Sequence, residues 1–258
     1  DVKSLKRVFP CGGTMAAVVD DREDVWANAN ENGGEPPKNL LLVKPFLWKP
    51  FMGFGDVNNA AGTTNIPPQD STTPAADKDE QLLWTCDILK RLHQRYYEAW
   101  KNDTSITVPR VLEQMRREVL QSCNVVLSGL VPLHKQQIHS NNSNNNNTPR
   151  PSFIRYVQDL GANLSTDVDS RTTTHVIAAR DGTDKTVKAR QVRNCHVVKA
   201  SWLMECLWSL TRRPILDQHV LGARPKPSIL ITMSDPETSD DDDDDDQFEM
   251  NLLQELKG

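Results

Sequence analysis

The stretch from Val125 to Trp202 constrains the fold most, because an α/β alternation is written into it. It opens on VVLSGLVP, an apolar run closed by Ser128 and Gly129. SFIRYVQDLGANL follows with amphipathic helical spacing, and then THVIAA around His175, an apolar run of buried-strand length. KTVKAR, which contains Lys188, is helix-forming, and CHVVKASWLMEC reads as an apolar strand running into a helix. Strand, helix, strand pair, helix, strand, helix favours a small parallel sheet with helices on its faces. Trp202 and Cys206 stand at i and i+4 on the last helix and are expected in the core.

At 258 residues the chain has room for one large or two ordinary domains. Only 37% of its residues are apolar and its mean hydropathy is -0.57, so part of it is expected to be linker or tail. No apolar run reaches membrane-spanning length and no signal-like start is present. The five cysteines, Cys11, Cys86, Cys123, Cys195 and Cys206, form no CxxC pair and no Cys/His pair at zinc spacing. Such a scattered, odd set reads as reduced thiols of a cytosolic or nuclear protein.

The net charge of -5 conceals two opposed regions. From Asp235 onward eleven acidic residues face one lysine, whereas Cys123 to Met233 carries fourteen basic against seven acidic residues. A basic module beside an acidic tail implies an anionic partner for the first and a basic partner for the second.

Near the start, MAAVVDD reads as a short apolar strand that delivers Asp20 and Asp21 at its C-terminal edge. In an open parallel sheet that edge is where ligands and metals sit, although an Asp pair after a strand also simply starts turns. Residues 62–78 are rich in Thr, Pro, Ala and Asp and read as a flexible linker. A helix is predicted from about Asp79, with Leu82, Cys86, Leu89 and His93 at helical spacing, and Leu83, Ile88 and Leu92 nearby. A second helix is predicted from near Pro109. His93, Tyr96, Tyr97 and Trp100 are expected to pack rather than to catalyse or stack on a base. The Asn-rich tract near 136–150 is low-complexity and reads as a disordered loop inside the module. In the tail, seven consecutive Asp precede a stripe of Phe248, Leu252, Leu253 and Leu256. That segment is expected to be disordered alone and able to fold in a partner's groove.

The element order of residues 123–232, with Ser128, Gly129, Gly161, Lys188, Trp202 and Cys206, resembles a BRCT domain, a module that commonly binds phosphorylated peptides. The resemblance implies that the Ser128 hydroxyl, the Gly129 backbone N–H and Lys188 grip one phosphate. The chemistry is sensible, because charge-assisted hydrogen bonds are strong and glycine lets backbone approach closely. Lys3, LKRVFPC and the strand ending in Asp20-Asp21, with Arg22 and Trp26, resemble a second family. This is the haloacid-dehalogenase-type phosphatases of the RNA polymerase II C-terminal repeat domain, in particular the BRCT-containing member that associates with transcription factor IIF.

That resemblance implies a partial HAD-like, Rossmannoid domain over residues 1–61, the linker, a helical connector over 79–122, the BRCT domain, and an acidic tail over 233–258. It implies Mg2+ as cofactor, with Lys3 neutralising the phosphoryl group and one of Asp20 and Asp21 binding the metal. It implies nuclear localisation, the phosphorylated repeat domain as substrate and a winged-helix domain of transcription factor IIF as partner of the tail, with no membrane or direct nucleic-acid contact. The family's nucleophile lies in a D-x-D-x-T motif that this sequence does not contain; DVDSR at Asp167 to Arg171 copies part of the spacing but reads as a polar loop. The chain is therefore expected to be a fragment, inactive alone. The competing expectation is a non-catalytic phosphopeptide adaptor of transcription or DNA repair.

Overall fold

The computed structural model describes residues 3–10, 12–27, 32–46, 79–140 and 149–222. They belong to one compact unit, Asp1–Ala223; a second unit, Arg224–Gly258, lies outside the described residues. So do the expected linker at 62–78, the asparagines at 141–147 and the tail with Phe248, Leu252, Leu253 and Leu256.

The N-terminal part holds a short helix, α1 (Leu5–Val8), and two strands, β1 (Val18–Asp20) and β2 (Leu40–Leu42), paired in parallel with Val18 opposite Leu40. A 3-10 turn, Asp24–Trp26, follows β1. Two long helices come next, α2 (Gln81–Trp100) and α3 (Val108–Val119), the latter with Pro109 in its first turn, where a missing N–H costs nothing.

On α2 the structure corrects the expected packing face. Ile88, Leu92 and Tyr96 are buried at i, i+4 and i+8, while Leu82, Leu83 and Leu89 are exposed. His93 is exposed too, with its ring 4.8 Å from that of Tyr97. Helical spacing alone offered two adjacent stripes; contact with α3 and the last helix selects one of them.

The BRCT-like part contains β3 (Asn124–Ser128), helices α4 (Leu133–Ser140) and α5 (Ser152–Asp159), β4 (Asn163–Ser165), β5 (His175–Ala178), α6 (Asp184–Gln191), β6 (His196–Lys199) and α7 (Ala200–Ser209). Its four strands run in the order β4-β3-β5-β6, all parallel. The predicted alternation is thus present, with one correction: residues 136–140, the start of the tract read as a loop, belong to α4. DVDSR is a loop, as expected, with Arg171 N–H donating to Asp169.

Val125, Leu127, Ile177, Val198, Ile154, Trp202, Leu203 and Cys206 fill the core beneath this sheet. Trp202 is fully buried, donates its indole N–H to the Arg213 carbonyl at 2.9 Å and stacks on the His175 ring at 4.8 Å. The same core takes in Ile88 and Leu92 of α2, Leu112 of α3 and Leu41 of β2, so the N-terminal strands share it. Gly161, at φ 88°, marks the tightest approach: a Cβ there would lie 1.9 Å from the Arg117 carbonyl oxygen.

Candidate functional site

Two places gather chemistry. The first is the C-terminal end of β1. Asp20 closes the strand and curls its carboxylate back, accepting the Arg22 backbone N–H at 3.0 Å on Oδ1. Its Oδ2 accepts from Lys3 Nζ at 2.5 Å and from Trp26 Nε1 at 2.9 Å. The 3-10 turn places Trp26 there, and the Lys3 backbone N–H donates to the Val25 carbonyl at 2.6 Å, which brings the N-terminal segment alongside. Lys3 also lies over the Trp26 ring at 5.5 Å. Burial pushes the Asp20 carboxyl upward, but the donors Lys3, Trp26 and Arg22 outweigh it and hold the pKa below the usual carboxylate value.

Asp20 is thus saturated by protein donors, while Asp21 is exposed beside it. The structure brings Lys3 and Asp20 together, with Asp21 next in the chain, and it divides the acidic pair. Asp20 holds the lysine; Asp21 is open to a ligand. Two adjacent carboxylates are hard oxygen donors of the kind Mg2+ takes, usually one or two with waters completing the shell. Among the described residues no cluster of three or more His, Cys, Asp or Glu stands at metal-binding distance, so the described residues offer at most part of a coordination sphere.

The second place is the C-terminal edge of β3. Ser128 is buried and its hydroxyl lies 2.8 Å from Thr183 Oγ1, the N-cap residue of α6. Gly129 follows at φ 71°, a conformation that suits glycine. The cation at this edge is Lys185, whose Nζ donates to the Leu127 carbonyl at 3.0 Å and to Gln136 Oε1 at 3.3 Å. Burial lowers the Lys185 pKa, with Lys188 nearby adding to the effect against Asp167.

Lys188, the lysine expected from the sequence, lies one turn further along α6 and pairs with Asp167 at 3.2 Å on the surface. Ser128 and Gly129 are therefore brought together with Lys185 and Thr183, which the sequence pattern did not single out. A signal was available: Thr183 precedes Asp184 in a T-D-K sequence that caps α6, and a cap fixes the next turn of the helix against the sheet edge.

Between the N-terminal strands and the BRCT-like part lies a cavity of about 410 Å³, lined by charged groups of both signs. Arg155 of α5 pairs with Glu23, and Ser152 Oγ donates to the same carboxylate at 2.8 Å. Arg150 grips Glu35 through two bonds of 2.8 Å. Arg116 of α3 donates to the carbonyls of Lys38, at 2.6 Å, and Leu40.

Comparison with known proteins supplies a context for both places. Residues 115–207 match the BRCA1 C Terminus (BRCT) domain family, beginning inside α3 rather than at the strand. An RNA polymerase II C-terminal domain phosphatase of Caenorhabditis elegans is 28% identical over 208 residues, 79% of this chain and 28% of that protein. The Schizosaccharomyces pombe protein of the same name is 23% identical over 320 residues, 83% of this chain and 41% of that one. The chain therefore spans less than half the length of these relatives. Among solved structures, Fcp1, described as an essential RNA polymerase II CTD phosphatase, superposes with a TM-score of 0.56 at 27% identity, over 83% of this chain and 62% of that one. A fission yeast Fcp1 variant bound to beryllium fluoride gives 0.54 at 26% identity, over 86% and 65%. By sequence and by fold, the chain is Fcp1-like: it resembles the RNA polymerase II C-terminal domain phosphatases over most of its length and carries a BRCT domain.

Proposed function

We propose that this chain forms the C-terminal portion of a nuclear, Mg2+-dependent protein serine/threonine phosphatase that acts on the phosphorylated RNA polymerase II repeat domain. The observation that carries the reading is the Lys3-Asp20-Asp21 arrangement at the end of a parallel strand, in a chain that superposes on Fcp1. Mg2+ supplies charge neutralisation for a phosphoryl group when bound. Asp21 is the chain's ligand for it, and Asp20 fixes the Lys3 ammonium where a transferring phosphoryl group would spread its charge. A fission yeast relative is solved with beryllium fluoride, a compact stand-in for such a group.

The BRCT module holds phosphorylated substrate through Ser128, Gly129 and Lys185, with Lys188 flanking. Lys185 is already partly desolvated, and a phosphate dianion would replace its bonds to a carbonyl and an amide oxygen by a charge-assisted one. The tail, with Phe248, Leu252, Leu253 and Leu256, docks on the basic winged helix of transcription factor IIF.

The chain contains no D-x-D-x-T motif, so on its own it binds and does not hydrolyse. Fluorescence anisotropy with a labelled repeat peptide tests the reading: the phosphorylated form should bind this chain and the plain form should not. Equal binding of both would remove the substrate-holding role, and Mg2+-dependent phosphatase turnover by the purified chain would overturn its inactivity. Phosphopeptide binding by a natural protein that lacks phosphatase activity would favour the adaptor reading instead.

A further inference from the structure

The seam between the β1-β2 pair and α5 touches the candidate active site at one point. Glu23 lies two residues beyond Asp21, and its carbonyl accepts the Trp26 N–H at 3.0 Å, closing the 3-10 turn. That turn presents the Trp26 indole N–H to Asp20 Oδ2. The Glu23 side chain points the other way, into the seam, where Arg155 and Ser152 of α5 hold it. Arg155 is only 9% exposed, and it also lies 5.4 Å from the Tyr156 ring. Burial, with the Glu23 carboxylate beside it, pushes the Tyr156 phenol up. A continuous set of contacts thus runs from the BRCT helix through Glu23, the turn and Trp26 to Asp20 and Lys3.

We propose that Arg155 and Ser152 are positioning residues for the phosphoryl site: the BRCT module, besides holding substrate, fixes the turn that orients Asp20 and Asp21. The inference rests on the phosphatase reading of that acidic pair. The geometry separates it from simple docking. Arg150–Glu35 clamps the same seam with a bidentate pair, but Glu35 stands outside the 3-10 turn that carries Trp26. If the seam served docking alone, the two ion pairs would be interchangeable. Under the proposal only the Arg155 pair speaks to the site.

The Trp26 indole N–H reports on this directly. In 15N-labelled chain, its resonance, assigned by its loss in Trp26→Phe, should shift downfield and exchange slowly because it donates to a carboxylate. Arg155→Met and Glu23→Gln should each move it upfield and speed its exchange about tenfold or more, with the remaining amide spectrum of the β3-β6 sheet unchanged. Arg155→Lys should recover part of the shift, and Arg150→Met should leave the indole where it was. An unmoved indole in folded Arg155→Met and Glu23→Gln overturns the proposal, and so does an equal response to Arg150→Met. If Arg155→Met fails to fold, Glu23→Gln, which keeps size and loses charge, decides alone. Mg2+-dependent turnover of phosphorylated repeat peptide by the longest natural form of the protein judges the phosphatase reading separately. Its absence with the indole pattern intact removes that reading and leaves the mechanical coupling standing.

Discussion

The two parallel sheets of this molecule solve the same problem differently. The four-stranded sheet builds its own core: Val125, Leu127, Ile177 and Val198 are essentially inaccessible and Trp202 is sealed beneath them. The two-stranded sheet has three residues per strand and inserts Leu41 into that same core, with Leu42 packed partly against it. Much of its further attachment is polar, through the ion pairs of Glu23 and Glu35 and the carbonyls that Arg116 reaches. A two-stranded ribbon of this size is marginal by itself. The lesson is that the region with the candidate phosphoryl site borrows its rigidity, while the region with the candidate peptide site supplies it.

The strongest way to break this comparison is Trp202→Ala. It should cost about 3–5 kcal/mol and, because the core is shared, unfold both sheets in one transition. Urea melts followed by circular dichroism and by the Trp26 indole signal should coincide; an N-terminal segment that survives would show that it supports itself. In the reverse direction, Asp21→Asn, at an exposed carboxylate, should leave stability within about 0.5 kcal/mol, as is usual for surface changes away from a core.

A pH series sharpens the contrast. Burial lowers His175 from 6.5 to about 4, with Arg212 and His196 adding repulsion. The unfolded chain takes up a proton there as pH falls through 6.5, whereas the folded chain resists until about 4. The stability this residue contributes is therefore complete above pH 6.5 and is lost on the way down to 4, about 3 kcal/mol in all. At the seam a downward shift of the same sign has the opposite cause, a favoured rather than a disfavoured charge. Arg150, outweighing burial, holds the Glu35 carboxyl below 4.5, so its contribution persists until the pH falls below that value. Between pH 6.5 and 4.5 the four-stranded region should soften and the Glu35 contact should not. Midpoints measured across that range in wild type and His175→Gln should differ in slope; parallel slopes would count against the buried neutral histidine.

At the peptide site the test separates two neighbouring lysines. Lys185→Ala should weaken phosphopeptide binding on the order of tenfold, about 1.4 kcal/mol, and Lys188→Ala by roughly twofold or less. The reverse order in anisotropy titrations would restore Lys188 to the phosphate.

Most of the fold was legible because continuous apolar runs and helical spacing report burial directly, as VVLS, THVIA and the Trp202-Cys206 pair show. What escaped depended on choices among near-equivalents. Lys185 and Lys188 are one turn apart on α6, and only the cap at Thr183 decides which reaches the sheet edge. On α2 two stripes competed, and the winner is set by neighbours distant in sequence. The acidic pair was readable as a strand end, but its division of labour required the Trp26 indole, whose bond to Asp20 spans six residues and no regular period.

Arg116 carries one more consequence. Asn39 turns its carbonyl toward β1, where Val18 N–H takes it, so the carbonyls of Lys38 and Leu40 face away from that partner. The guanidinium meets both, and although burial lowers its pKa to about 10 it remains charged at neutral pH. One side chain thus does for this edge what a further strand would do. An edge so capped withholds these two acceptors from a passing chain, which disfavours templated pairing along β2.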